Sequence, residues 1–139
     1  MTKDFWLNLP VKNLAKSKAF FNTLGMTVKE DSPGSTPTSA PLVIGTKNVV
    51  VMLFEEPVFQ QITGCSVSDT SKASEVMLSF DAESREEVDE LAAKAEAAGG
   101  IVFGKPSEIQ GWMYGCGFTD LDGHRWNVLH MDMSKLQGH

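Results

Sequence analysis

The stretch GFTDLDGHRWNVLHMD, from Gly117 to Asp132, is the most informative part of the sequence. It contains two apolar-rich runs that alternate with period two, and a short polar segment separates them. Asp120, Asp122 and Gly123 lie in that segment, and residues of these types favour the backbone conformations that a tight turn requires. The stretch therefore predicts strand, turn and strand.

The first half of the chain predicts one strand, one helix and three further strands. Asn13 is a candidate N-cap and Gly25 a candidate C′ residue, so the helix is expected from Leu14 to about Leu24. Pro10 is expected to end the preceding strand, because proline has no N–H for a β-ladder. The predicted strands are residues 5–9, 26–31, 40–44 and 48–54.

The second half predicts the same order of elements. Ser84 and Glu87 have the spacing of a capping box, which predicts a helix from Arg85 to Ala98. The apolar stripe of this helix is Val88, Leu91, Ala92 and Ala95. The predicted strands are residues 75–80, 101–105, 113–119 and 124–131. Each half is therefore a βαβββ module.

Two motifs together resemble a signature of the vicinal oxygen chelate superfamily, the group of glyoxalases, bleomycin-resistance proteins and extradiol dioxygenases. They are the C-terminal stretch above and NLPVKNLAKSKAFFNTLGM, from Asn8 to Met26. The resemblance implies an α+β fold in which two tandem βαβββ modules form a curved mixed sheet around a cavity. It implies one domain, with module one at about 4–56, a linker at about 57–73 and module two at about 74–133.

Composition narrows the class of protein. The 139 residues are 42% hydrophobic, which suits one compact domain. The net charge of −6 argues against a nucleic-acid partner, since phosphate binding needs clustered Lys and Arg. Cys65 and Cys116 are far apart without a CxxC motif, which predicts two reduced thiols. No apolar run has the length of a signal peptide core or a membrane span, so we expect a cytoplasmic protein without a membrane partner.

Strand alternation predicts which side chains face the helices and which face the cavity. The uniformly apolar parity is expected to pack under the helices: Phe5, Leu7, Leu9, Val49, Val51, Leu53, Val76, Leu78, Phe80, Trp126 and Val128. The opposite parity is expected to line the open side: Trp6, Asn8, Val50, Met52, Phe54, Glu75, Met77, Ser79, Asn127, Leu129 and Met131.

The resemblance also implies four positions for metal ligands, which fall here on Trp6, Met52, Glu75 and Asn127. Of these, only Glu75 is a good ligand for a hard cation, because Asn127 is neutral and an indole has no lone pair to offer. The three histidines, His124, His130 and His139, lie outside these positions. We therefore expect no metal site and no cofactor, with a divalent metal only weakly supported.

Each candidate residue has a functional and a structural interpretation. Glu75 is either a desolvated catalytic base or an exposed carboxylate at the start of a strand. The candidate ligand-binding residues are Trp6, Asn8, Met52, Met77, Trp112, Tyr114 and Asn127. Their aromatic rings and thioethers could equally be packing side chains of the core, a loop or a dimer interface. Cys116 is expected to be buried and unreactive.

Two functions remain open at this point. The first is a small-molecule-binding protein of glyoxalase and bleomycin-resistance type, with a degraded metal site and an apolar or planar ligand. The alternative is a lyase or isomerase of lactoylglutathione-lyase type that uses Glu75 as base or metal ligand. The resemblance further implies a homodimer, because each module leaves an open sheet face and aromatic residues that need cover.

Overall fold

The computed structural model describes residues 1–136, which form eight β-strands, three α-helices and a short 3-10 helix. These residues divide into two compact units, with the boundary between Asp69 and Thr70. Each unit contains one four-stranded mixed sheet and has the order βαβββ, so the predicted α+β class is confirmed. The longest helix has 13 residues, and none within 1–136 is long and apolar enough to cross a membrane.

The first unit has the strand order β1-β4-β3-β2. The strand β1 runs parallel to β4, and the other pairs are antiparallel. Its elements are β1 (Leu7–Val11), α1 (Leu14–Thr23), β2 (Thr27–Val28), β3 (Ser39–Ile44), β4 (Val49–Glu55) and α2 (Glu56–Thr63).

Helix α1 begins and ends where the sequence predicts. The Asn13 side chain accepts a hydrogen bond from the backbone N–H of Lys16 at 3.1 Å, which satisfies one of the free donors at the helix N-terminus. Leu24 is the C-cap, and Gly25 follows with a φ of 87°. Leu14, Phe21 and Leu24 are buried, so the predicted apolar side of this helix does pack onto the sheet.

The expectation that Pro10 ends β1 is wrong. The strand continues to Val11, and Pro10 lies opposite Phe54 of β4. Because β1 is at the end of the strand order, its other side is not hydrogen-bonded to a strand of this sheet, and proline is tolerated in such a position.

Helix α2 forms where the sequence analysis expected only a linker. Pro57 lies in the first turn, where its missing N–H has no intrahelical partner, and Gly64 caps the C-terminus with a φ of 73°. Val58 and Phe59 are half-buried, and the helix contacts β1 and β4. This short helix was missed because its eight residues bury little apolar surface and therefore give a weak periodic signal.

The second unit has the strand order β5-β8-β7-β6, with β5 parallel to β8 and the other pairs antiparallel. Its elements are β5 (Met77–Asp81), α3 (Arg85–Ala97), β6 (Ile101–Ile109), β7 (Met113–Thr119) and β8 (Arg125–Met131), followed by the 3-10 helix Met133–Lys135. The predicted N-cap is present, because the Ser84 hydroxyl accepts from the N–H of Glu87 at 3.1 Å. The reciprocal bond of a capping box is displaced by one residue, since the Glu87 carboxylate accepts from the N–H of Glu83 at 3.2 Å. Helix α3 buries the four predicted residues Val88, Leu91, Ala92 and Ala95.

An aromatic cluster fills the core of the second unit. The Phe118 and Trp126 rings are parallel with centroids 6.4 Å apart, and the Phe80 ring meets both edge-on at 6.5 and 6.1 Å. Trp126 and Val128 are buried, as their predicted parity requires. The cluster lies on the side of the sheet that α3 covers, so the opposite side is the open one.

The strand residues that were predicted to face the helices are buried in the middle of the strands and exposed at the beginnings of the strands. Leu9, Val51, Leu53 and Leu78 are buried, and Leu7 and Phe80 are partly exposed. In contrast, Phe5, Val49 and Val76 are 80%, 47% and 53% exposed. Phe5 and Val76 precede the observed strands and Val49 is the first residue of β4, so all three lie at or before the beginning of a strand. The expectation that they pack under a helix is therefore wrong.

Candidate functional site

The open face of the first sheet contains a pocket with a volume of about 500 Å³. The segment before β1 and one face of β4 line it. Its lining residues are Asp4, Phe5, Trp6, Asn48, Val50, Met52 and Phe54. Trp6 and Met52, which were both predicted to face a cavity, are thus brought together. The lining is mainly apolar, as in most small-molecule pockets.

Asn8 is the third candidate in this unit. It is exposed and lies opposite Met52 in the parallel pairing of β1 with β4. The pairing places Asn8 on the same side of the sheet as Met52, as its parity predicts.

The open face of the second sheet contains a smaller pocket, with a volume of about 200 Å³. Met77 from β5 and Asn127 from β8 both line it, so two further candidates are brought together. The remaining lining residues are Phe103, Gly104, Lys105, Ser107, Ile109, Gly115, Cys116, Gly117 and Leu129. Ser79 donates a hydrogen bond from its hydroxyl to the amide oxygen of Asn127, which holds the Asn127 side chain across neighbouring strands.

Two glycines of β7 leave space for the side chains that lie over this face. A Cβ on Gly117 would lie 2.6 Å from the Phe103 ring, and a Cβ on Gly115 would lie 2.6 Å from the carbonyl oxygen of Val128. Glycine at both positions therefore allows the close approach of a ring and of the neighbouring strand. The Arg125 guanidinium lies over the Phe103 ring, 4.4 Å from the ring centroid, which is a cation–π distance.

Sequence reasoning missed Phe103, Lys105 and Arg125 at this face. The signal that could have indicated this face is the pattern Gly115-Cys116-Gly117 within a predicted strand. Glycine inside a strand marks a bulge or a close approach of another group. The pairing of β6 with β7 does shift register between Val102 and Gly104, and again between Gly104 and Ser107. Phe103, Lys105, Ser107 and Ile109 nevertheless alternate along β6 and line the same pocket, so strand alternation is consistent with their placement.

Glu75 does not lie on a strand. It is on a bend two residues before the start of β5, and its side chain is exposed. The expected strand from Glu75 is therefore wrong at its first residues, and the carboxylate is not desolvated within its unit. Its role as a catalytic base stays a prediction.

Tyr114 lies on the helix side of the second sheet rather than with Met77 and Asn127. Its hydroxyl donates to Oδ1 of Asp89 on α3 at 2.7 Å, and this hydrogen bond raises the pKa of Tyr114. The Arg85 guanidinium lies 4.9 Å from the ring centroid. Trp112 is half-buried in the loop between β6 and β7, where its carbonyl accepts from the N–H of Asp132 at 2.7 Å. The side-chain contacts of Tyr114 favour a packing role for that residue. The role of the Trp112 ring stays a prediction, because its hydrogen bond involves the backbone alone.

The histidines and cysteines within residues 1–136 do not form a reactive cluster. His130 Nδ1 donates to the carbonyl oxygen of Ala82 at 3.0 Å, His124 lies in the turn before β8, and His139 lies outside the described residues. Within the described part of either unit, no three His, Cys, Asp or Glu side chains could hold a metal ion together. Cys65 and Cys116 are free thiols; Cys116 is buried, and burial raises the pKa of its thiol and keeps it protonated.

The family model of the Glyoxalase/Bleomycin resistance protein/Dioxygenase superfamily matches residues 5–128. This range covers nearly all of both βαβββ units and every lining residue of the two pockets except Asp4 and Leu129. The chain belongs to this superfamily, and the resemblance stated from the two sequence motifs is confirmed. No curated protein matches the chain significantly.

Several solved structures are similar to the chain. A hypothetical protein from S. aureus is 35% identical, with a TM-score of 0.83 over 94% of this chain and 95% of that chain. A glyoxalase-related enzyme from Fulvimarina pelagi is 18% identical, with a TM-score of 0.77 over 94% and 88%. The fosfomycin resistance protein FosX of Listeria monocytogenes, complexed with Mn(II) and sulfate, is 18% identical, with a TM-score of 0.70 over 100% and 99%. The last two similarities show the fold alone.

Proposed function

We propose that the protein binds an apolar or planar small molecule on its open sheet faces and that this binding does not depend on a metal ion. The observation that supports it best is the pocket of the first unit, in which Trp6, Met52 and Phe54 form a mainly apolar lining. An indole ring offers a large flat surface for stacking, and a thioether adapts to ligands of different shape. Asn127 of the second pocket adds an amide that could orient a ligand.

The chemistry of the four ligand positions supports independence from metal. Trp6, Met52, Glu75 and Asn127 occupy them in this sequence, and catalytic divalent sites normally use three or four His, Cys or carboxylate ligands. One carboxylate and one neutral amide do not fit that requirement. We therefore infer that the metal site of the family is degraded here.

We further propose that the protein is a cytoplasmic homodimer. Exposed apolar side chains support the dimer, because Phe5, Trp6, Val49, Val76 and Met77 are each about half exposed or more. Exposed apolar side chains of this size in each unit are candidates for cover by a partner chain. Two free thiols support a reducing compartment, since disulfides are rare in the cytosol.

A thermal-shift screen of planar aromatic compounds, run with and without EDTA, tests the proposed function. We expect binders that raise the melting temperature equally in both conditions, because the stabilisation depends on ligand occupancy alone. Trp6→Ala should weaken the shift, whereas Ile62→Ala, on the exposed face of α2 and outside the pocket lining, should not. Circular dichroism checks that both variants fold. Turnover of the methylglyoxal–glutathione adduct that EDTA abolishes would overturn the proposal in favour of a metal-dependent lyase.

A further inference from the structure

The loop of residues 31–38, between β2 and β3, packs against one wall of the first pocket. A Cβ on Gly34 of this loop would lie 3.2 Å from the terminal methyl carbon of Met52 and 3.6 Å from its sulfur. Met52 lines the pocket, and Gly34 lies outside the lining. We propose that Gly34 is a specificity-determining residue, which sets the largest ligand that the pocket admits by leaving room for the Met52 side chain beside the loop. The inference rests on the proposed function, because it concerns the size of the ligand at that same site.

Met52 separates the loop from the pocket. Pro41 of β3 lies opposite Met52 in the antiparallel pairing with β4, so the two side chains share the open face of the sheet. The same Cβ on Gly34 would lie 3.4 Å from Cγ of Pro41. Pro41 is buried, whereas Met52 is half-buried and lines the pocket. The loop therefore packs over Pro41 and one side of Met52, and the pocket lies along the other side of Met52.

The Met52 side chain is the part of this contact that can move. The Pro41 ring is fused to the backbone of a strand that is paired on both sides, and it has no rotatable side-chain bond. Methionine is unbranched and has three rotatable bonds, so it adapts to the space around it. Bulk added at Gly34 would therefore push the thioether away from the loop and into the pocket of about 500 Å³.

Hydrogen bonds hold the loop in place at Gly34. The buried Ser39 donates from its hydroxyl to the carbonyl oxygen of Gly34 at 2.8 Å, and the N–H of Gly34 donates to the Ser32 hydroxyl at 3.2 Å. The N–H of Thr36 donates to the carbonyl oxygen of Ser39 at 2.9 Å. Lifting the loop would break these bonds, so movement of Met52 costs less than movement of Gly34.

Alanine at this position tests the contact without a backbone conflict. The φ of Gly34 lies outside the left-handed region, so alanine needs no strained φ there. The added methyl group meets only the far end of a flexible side chain and the edge of the Pro41 ring. We therefore expect Gly34→Ala to fold, which circular dichroism checks, and to change the pocket through Met52.

Two probes with the same hydroxyl group and different size, phenol and 2-naphthol, measure the size limit. Binding to the full chain is followed by the NMR shift of the Trp6 indole N–H, with the indoles of Trp112 and Trp126 as references. The native protein should bind 2-naphthol more tightly, because its second ring buries more apolar area. Gly34→Ala should weaken 2-naphthol about tenfold relative to phenol, since the displaced thioether overpacks the space of that ring.

A measurement without ligand follows Met52 itself. In protein with isotope-labelled methionine methyl groups, Gly34→Ala should shift the Met52 methyl resonance and strengthen its nuclear Overhauser contact with the Phe54 ring of the pocket. The Met77 methyl group in the second unit is the reference. Ser35→Ala is the matched control, because the Ser35 hydroxyl donates to Glu30 at 3.3 Å on the exposed side of the same loop. It should change neither the Met52 resonance nor the ratio of the two affinities.

A double variant shows whether Gly34 acts through Met52. Met52→Ala removes the thioether, so adding Gly34→Ala in that background should leave the ratio of the two affinities unchanged. A tenfold loss that persists without Met52 would mean that alanine distorts the loop, and the inference would be wrong.

An unmoved Met52 methyl group in Gly34→Ala, or an unchanged ratio of affinities, would also overturn the inference while leaving the proposed function standing. If neither probe shifts the Trp6 indole of the native protein, the size limit proposed here is wrong. The screen of planar compounds then decides separately whether the proposed function fails as well.

Discussion

The indole Nε1 of Trp126 donates a hydrogen bond to Oδ2 of Asp120 at 3.0 Å, and both residues are buried. The other carboxylate oxygen of Asp120 accepts from the backbone N–H groups of Asp122 and His124, at 2.9 and 3.0 Å. One carboxylate therefore joins the turn before β8 to the aromatic core of the second unit. Asn127, on the open face of the sheet, is the next residue of β8 after Trp126.

Asp120→Asn should destabilise the protein by about 1–3 kcal/mol. The asparagine NH2 group cannot accept a hydrogen bond, so at least one of the three N–H groups that now donate to the carboxylate would lose its acceptor. Urea unfolding followed by Trp fluorescence measures the change in the free energy of unfolding. Asp122→Asn in the same turn is the control, since the Asp122 side chain is more exposed than that of Asp120. Equal stability of the Asp120 variant and the native protein would contradict the proposed role of this carboxylate.

The effect of Asp120→Asn should also depend on pH. Burial raises the pKa of the Asp120 carboxyl, although the charge of His124 and the hydrogen bond from Trp126 act in the opposite direction. The folded state thus holds this proton more tightly than the unfolded state. This tighter proton binding adds to the free energy of unfolding. The contribution is fully present below the unfolded-state pKa of about 3.9 and is lost as the pH rises through the folded-state pKa. The unfolding free energy of the native protein relative to the variant should therefore decrease as the pH rises from 3, while the hydrogen bonds of the ionised carboxylate keep it above that of the variant. A difference that grows with pH would show that the pKa is lowered instead.

Alanine at the three glycines of the second open face should have graded effects. Gly115→Ala should destabilise most, by about 1–3 kcal/mol, because its Cβ would meet the backbone oxygen of Val128 in the neighbouring strand. Gly117→Ala should cost less, since the Phe103 ring that it meets is 45% exposed and can turn away. Gly104→Ala should be nearly neutral, because its nearest atom would be at 3.5 Å. Denaturant unfolding of the three variants tests the order, and equal costs would refute this account of the face.

Phe103 should leave its position over the sheet in Gly117→Ala, and the contact with Arg125 should be lost with it. The NMR shifts of the Arg125 side chain report this directly, because the ring lies 4.4 Å from its guanidinium. Gly104→Ala again serves as the control. Unchanged Arg125 shifts in Gly117→Ala would mean that the ring and the new methyl group are both accommodated.

The purified protein should contain no stoichiometric divalent metal, and chelator should not change its melting temperature. The reason is the side-chain chemistry at Trp6, Met52, Glu75 and Asn127, which offers one carboxylate where a divalent site normally has three or four strong ligands. Elemental analysis before and after dialysis against EDTA measures this. One tightly held zinc, nickel, manganese or iron per chain would contradict the proposal.

The protein should behave as a homodimer at micromolar concentration. A single chain has a mass of 15.2 kDa, so light scattering should report about twice that value. Phe5→Ser and Val76→Ser, both at exposed apolar positions, should shift the equilibrium towards the monomer if these residues lie in the interface. A monomer mass for the native protein over this range of concentration would refute the dimer.

Local sequence rules were enough where a side chain acts on its own backbone. Asn13, Ser84 and Gly25 were assigned to helix ends correctly, because caps depend on residues within one turn of the helix. The buried stripe of α3 was likewise read from its periodicity. The same rules missed α2 and misplaced the ends of β1, since an eight-residue helix and the last residues of a strand depend on neighbouring elements.

The sequence by itself determined the family, the two βαβββ units and the parity that separates buried from open strand positions, because these depend on periodic apolar patterns and on motifs that are local in the chain. Only the tertiary structure decided which residues meet on the open faces. The pairing of β6, β7 and β8 brings Phe103 and Lys105 to the pocket that Asn127 also lines, and the segment before β1 brings Asp4 and Trp6 to the pocket over β4. Such contacts join residues far apart in the chain, and packing between strands, not local propensity, determines them.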